Sequence, residues 1–149
     1  MRRVTFFLSL TFLSLSQGVI GSGYKIAPEP SYEVALTFLH NYIDYLNDRN
    51  QEIGRVEWIK KQTTVTENFK TALTKYIENS EFLDFDPILD AQDYPEGFQI
   101  AETDSEFVIV KGTDWPGFKL TLKLIKVEKE WLVDGSGVIN IPKERRIKR

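Results

Sequence analysis

Between Glu78 and Glu96 the sequence gathers seven acidic residues and no basic one. The middle of that stretch reads Asp84-Phe85-Asp86-Pro87-Ile88-Leu89-Asp90-Ala91-Gln92-Asp93-Tyr94-Pro95. Carboxylates at this density suit a hard cation such as calcium, or general acid–base work if one of them is desolvated. The calcium motif fails. Counted as an EF-hand loop from Asp84, the sixth position is Leu89 instead of glycine and the twelfth is Pro95 instead of glutamate. For acid–base chemistry the candidates are Asp90 or Asp93 as a buried base, with Tyr94 as hydrogen-bond donor. The plainer reading is structural. Asp side chains fold back onto backbone amides in turns, and Gln92 can do so across a loop, so that Asp86, Gln92 and Asp93 hold a plug joining helices to sheet.

The rest of the chain offers less. His40 is the only histidine, falls off the apolar stripe of its helix and has no serine elbow to serve, which reads as a solvated residue. Cysteine is absent, which removes disulfides, thiolate metal sites and cysteine nucleophiles. One histidine without cysteine cannot build a zinc site. No cofactor and no metal is therefore expected. Trp115, beside Pro116 and between Gly112 and Gly117, is a candidate contact residue at a hairpin tip, or a ring folded over the sheet edge. Asp90, Gln92, Asp93, Tyr94 and Trp115 are the residues through which a ligand would be held; no catalytic residue is assigned.

These groups need elements to position them. Ser31 is a natural N-cap, and Ala35, Phe38, Leu39, Tyr42, Ile43 and Leu46 follow at helical spacing. Val56 to Lys61 reads as a short helical turn. Thr64 with Glu67 three residues on predicts a capping box opening a further helix, with Val65, Phe69, Ala72, Leu73, Tyr76 and Ile77 as its apolar stripe. The acidic segment reads as a loop with a helical turn after Pro87. Strands follow at 98–102, 106–111 and 118–127, where Phe118, Leu120, Leu122 and Leu124 alternate with Lys119, Thr121 and Lys123. A fourth opens at Trp131, bends at Gly135-Ser136-Gly137 and continues over Val138 to Ile141. Helices followed by hairpin-linked strands imply an α+β domain: two long N-terminal helices packed on a curved antiparallel sheet of about four strands. Such a sheet can curl around its helices and leave a conical pocket.

The N-terminus reads as an export signal. Arg2 and Arg3 precede the apolar run Val4 to Leu15, and small residues follow around Gly21 and Gly23. The run is shorter than the roughly 20 residues a span needs, so no stable membrane span is expected after cleavage. The organisation is then a signal peptide at 1–23, one domain at 24–142 that opens on a Pro-containing linker, and a basic C-terminal tail at 143–149. Without Arg2 and Arg3 the formal charge falls from −3 to −5; the tail carries +4, which leaves about −9 on the body. A body so acidic is a poor partner for nucleic acid.

The segment Asp86-Pro87-x-Leu89-x-Ala91-Gln92-Asp93 resembles the signature of the YbjP/YqhG-like family of uncharacterised bacterial exported proteins. Phe69 and the closing Trp131-Leu132-Val133-Asp134-Gly135 are similar too. The resemblance covers nearly the whole mature chain. It implies a location in the Gram-negative envelope, periplasmic or secreted, and a fold similar to the nuclear-transport-factor-2-like cones; it implies no particular activity. The expected function is a non-enzymatic envelope protein that binds a protein, peptide or small apolar ligand. The alternatives are a cone-fold enzyme with a buried carboxylate as general base, or an immunity-type protein that blocks a toxin in the periplasm. The export reading is checked by N-terminal sequencing of the periplasmic fraction: a mature chain starting near Ser22 or Tyr24 is expected, and one still starting at Met1 in the membrane fraction would overturn it.

Overall fold

The apolar spacing in the N-terminal half is what decides which faces are buried. In the computed structural model, which describes residues 32–148, Glu33–Asn47 is helical (α1) and buries Ala35, Phe38, Leu39, Tyr42 and Ile43. The expected signal peptide and linker, and the expected cap at Ser31, lie outside the described residues. Helix α1 stops in the polar run Asp48 to Asn50, where the Asp48 carboxylate accepts from the Asn50 amide at 2.9 Å. A short helix, α2 (Arg55–Lys61), starts after Gly54 and buries Trp58 and Ile59. Helix α3 (Glu67–Glu78) buries Phe69 and Leu73. Among the described residues no helix is long and apolar enough to cross a membrane.

The expected start of α3 at Thr64 is corrected by two residues. Its N-cap is Thr66, whose hydroxyl accepts from the Phe69 amide at 3.0 Å. The reason is tertiary. Residues 64–66 are drawn out against the sheet: Val133 N–H donates to Thr64 O at 2.9 Å, and Thr66 N–H donates to Val133 O at 3.0 Å. Val65 is buried, but as an extended residue paired with Val133 instead of a helical one.

Four strands form one antiparallel sheet in sequence order: β1 (Phe98–Thr103), β2 (Phe107–Gly112), β3 (Lys119–Val127) and β4 (Glu130–Ser136). The alternation in β3 is real: Phe118, Leu120, Leu122 and Leu124 are all buried on the helix side. Two irregularities interrupt the ladder. Ala101 is skipped between Ile100 and Glu102 in β1, and Asp134 is skipped in β4, where Lys123 faces Gly135 and Leu124 faces Val133. Residues 138–141 do not extend β4 as expected. Ser136 and Ile139 close a tight turn on each other, with Gly137 at φ +61.

Helices and sheet share one apolar cluster. Phe38, Phe69 and Leu73 from the helices and Val108, Val110, Leu122 and Val133 from the sheet have no surface that water can reach. None of these side chains faces a water-filled space between the helices and the sheet. The outer sheet face carries its own cover. Arg145, in a 3-10 turn at Lys143–Arg145, accepts from the Thr121 hydroxyl through its carbonyl at 2.7 Å. Its guanidinium lies 4.9 Å above the Phe107 ring and 2.9 Å from Asp104. Arg146 donates to the carbonyls of Ile141 and Val138.

Lys123 points away from the core, yet it is not a free solvent residue. Its ammonium sits 3.1 Å from the buried carboxylate of Asp134, which also accepts from Thr66 and Asn68. Leu122→Ala should therefore cost ~2–5 kcal/mol in denaturant melts, the range for emptying a core position. Lys126→Ala, on an exposed residue, should stay within about 0.5 kcal/mol. Lys123→Ala should fall between them, at about 1 kcal/mol, because Asp134 keeps its other hydrogen bonds. Equal costs at 122 and 123, which lie on opposite faces, would disprove the register.

Candidate functional site

The acidic segment is organised by Asp86. One carboxylate oxygen, Oδ1, accepts the backbone amides of Ile88 and Leu89 at 2.8 and 3.0 Å. The short side chain and the fixed φ of Pro87 favour this turn. The other oxygen, Oδ2, accepts the Tyr42 hydroxyl at 2.6 Å and the Arg55 guanidinium at 2.9 Å. Arg55 Nε also donates to the Tyr42 oxygen at 2.8 Å, so three residues from α1, α2 and the loop close a triangle. The loop's own backbone closes too, with Asp86 and Ala91 exchanging hydrogen bonds at 2.8 and 3.4 Å.

The turn after Pro87 is then pinned to the end of β4. The Ser136 hydroxyl donates to Ile88 O at 2.8 Å, and the Val138 amide donates to Pro87 O at 3.0 Å. A Cβ at Gly137 would lie 2.5 Å from both of those carbonyl oxygens. With its left-handed φ, this position has room only for glycine. Ile88 and Leu89 are fully buried beneath it.

An aromatic cluster surrounds Tyr42. Its ring stacks on Phe38 and Tyr45 and meets Trp58 at 5.2 Å. Burial pushes the Tyr42 phenol well above its ordinary range, and the Asp86 charge adds to the shift. Burial works against the Arg55 charge, but Tyr42 and Asp86 outweigh it and hold the guanidinium above its ordinary value. Tyr45 and Tyr94 are also raised by burial; at Tyr45 the Arg55 charge opposes the shift more than Asp86 adds to it, and at Tyr94 Asp86 adds to it.

A cleft of about 430 Å³ opens beside this triangle, lined by Leu46, Arg55, Leu83, Asp84, Phe85, Asp86, Gln92 and Tyr94. It brings two of the sequence-derived candidates together, Gln92 and Tyr94. Gln92 is exposed and donates to Asp84 O at 2.8 Å; the Tyr94 hydroxyl donates to Asn47 Oδ1 at 3.3 Å. Asp90 lies outside that lining, half-buried with φ +52. Asp93 is exposed and makes no hydrogen bond to any described residue, so holding the loop falls to Asp86 and Gln92. Trp115 sits at the β2–β3 hairpin tip, 47% exposed, with its ring 5.6 Å from Phe118. His40 is exposed beside Asp44 on the outer face of α1. Among the described residues no three carboxylate or imidazole side chains converge as a metal site would require.

Sequence reading missed Arg55 and Tyr42. Tyr42 looked like one more residue of an apolar stripe, and the signal available was a hydroxyl at the centre of that stripe, which a buried site must satisfy. Arg55 stood in a polar break with nothing to tie it to a position 31 residues on. Compared with known proteins, the chain matches no family model, no curated protein and no solved structure.

The triangle makes a pH prediction. Because the folded state holds Tyr42 protonated, the stability it contributes is complete below the ordinary tyrosine value of about 10 and is lost as pH rises from there through the folded value. Urea unfolding followed from near pH 8 to about pH 11 should show falling stability, and Tyr42→Phe should flatten that slope while costing about 1–3 kcal/mol at neutral pH. Asp86→Ala should cost more, about 3 kcal/mol, since it strands Arg55 and two amides at once. A slope unchanged in Tyr42→Phe would show that another group titrates.

Proposed function

We propose that this protein is a non-enzymatic component of the Gram-negative envelope, exported through its signal peptide, which binds a protein, a peptide or a small apolar ligand. The carrying observation is the state of Asp86, the most deeply placed carboxylate of the acidic segment. Both of its oxygens are occupied by Tyr42, Arg55 and two backbone amides. A general base must be able to accept a proton from a substrate, and a carboxylate so engaged is a scaffold. The filled apolar core beneath supports the same reading, because the chemistry of a cone-fold enzyme needs a walled pocket there.

The proposal includes the finer architecture, two long helices on a curved, cone-like sheet, and membership of the YbjP/YqhG-like family. The order of helices before a meandering sheet supports the first. The role of Asp86-Pro87 at the centre of the plug supports the second, since it gives those residues a physical reason to stand together. Binding then belongs to the surface around the plug, where Gln92, Asp93, Tyr94 and the hairpin tip at Trp115 are accessible.

A photoreactive residue placed at Tyr94 or Trp115, and irradiated in the periplasm of an intact Gram-negative host, should yield a discrete adduct. Asp90→Asn and Asp93→Asn should leave both adduct and phenotype in place. No adduct, together with loss of a measurable turnover in Asp90→Asn or Asp93→Asn at unchanged melting temperature, would overturn the reading.

A further inference from the structure

Resting on that binding reading, we infer that the cleft beside Asp86 takes a short basic segment of another protein, in which lysine or arginine stands next to aliphatic residues. The run Glu81-Phe82-Leu83-Asp84-Phe85-Asp86 intersperses three acids with three large hydrophobes. Phe82 is 83% exposed, the most exposed large hydrophobic residue described. The next residue in the chain, Leu83, belongs to the cleft, whose apolar and aromatic wall is formed with Leu46, Phe85 and Tyr94. Exposed aromatics beside such a groove are the anchors from which protein contacts draw most of their affinity.

Charge selects the occupant. Asp86 is neutralised by Arg55, but Glu78, Glu81, Asp84, Asp93 and Glu96 form no salt bridge with any described residue. Of these Asp84 lines the cleft itself, so an anion entering here would meet an uncompensated carboxylate. A lysine or arginine can lay its aliphatic stem on Leu83 and Phe85 while its charge reaches Asp84, and the aromatic ring of Tyr94 or Phe85 accepts a cation on its face. The chain's own basic residues at 145 and 146 are engaged elsewhere: Arg145 is held by Asp104 and the Phe107 ring, and Arg146 by two backbone carbonyls. With 22 Asp and Glu against 19 Lys and Arg, a second copy would bring net negative charge to this cleft, so the basic partner is a different protein.

The test uses the mature chain and three labelled probes, short soluble peptides in which leucine is paired with lysine, with glutamine or with glutamate. Fluorescence anisotropy measures binding, and amide chemical-shift mapping locates it. The lysine–leucine peptide should bind, weaken as salt screens the carboxylates, and shift residues 82–86 and 92–94. Phe82→Ser should weaken it about tenfold, as loss of an aromatic anchor does, and Asp84→Asn up to about fivefold, as expected for an exposed charge pair. Both positions are exposed, so neither change should alter the melting temperature. Equal binding of the glutamine or glutamate peptide at the same residues would overturn the basic partner while leaving the binding reading intact. No peptide binding, or salt-sensitive self-association of the protein alone, would also overturn it. The in vivo adduct at Tyr94 or Trp115 then decides separately whether the domain is a binding module.

Discussion

A buried carboxylate must be answered, and in this domain the answer draws in most of the fold. Desolvating Asp86 is unfavourable unless its lone pairs are filled. Filling them takes a hydroxyl from α1, a guanidinium from the first residue of α2 and two amides of its own loop. Once those partners are in place, α1 and α2 are fixed relative to the loop, and the aromatic rings of Phe38, Tyr45 and Trp58 close around Tyr42. Ile88 and Leu89, delivered by the turn that Asp86 caps, complete the apolar cluster under β4. A polar centre thus sets the geometry within which the hydrophobic burial takes place.

A second polar centre does the same work at the other side of β4. Asp134, displaced from the ladder, ties Lys123 of β3 to Thr66 and Asn68 at the start of α3. Thr66 both caps its helix and donates to that carboxylate, so helix entry and sheet irregularity are one structure. Between the two centres the four strands need only hairpin connections, the simplest antiparallel arrangement. The outer face is covered in part by the chain's last residues through Arg145 and Thr121, which explains why Thr121 is buried on a face the sequence pattern assigns to solvent.

Periodic features were legible in the sequence. The stripe from Ala35 to Ile43 and the alternation from Phe118 to Leu124 are read from spacing alone, because each reports one side of one element. Features set by distant partners were not. On paper Thr64, with Glu67 three residues on, is the better cap, and only pairing with Val133 moves the helix start to Thr66. Val138 to Ile141 has strand composition, but the anchoring of Val138 N–H to Pro87 O turns the chain away. The acidic segment was rightly singled out as a plug, and Asp86 and Gln92 carry that role. Asp93 does not, since chain order gives no hint of which carboxylate meets Arg55.

The contact of Gly137 with the turn at Pro87 and Ile88 has a meaning for descent. The missing side chain leaves space that two carbonyl oxygens already fill, so neither partner can change alone. A lineage that lost the glycine would have to rebuild the turn fifty residues upstream in the same step, and one that reshaped the turn would release the glycine. The two stretches are sterically coupled, so in related sequences they should be kept together or replaced together.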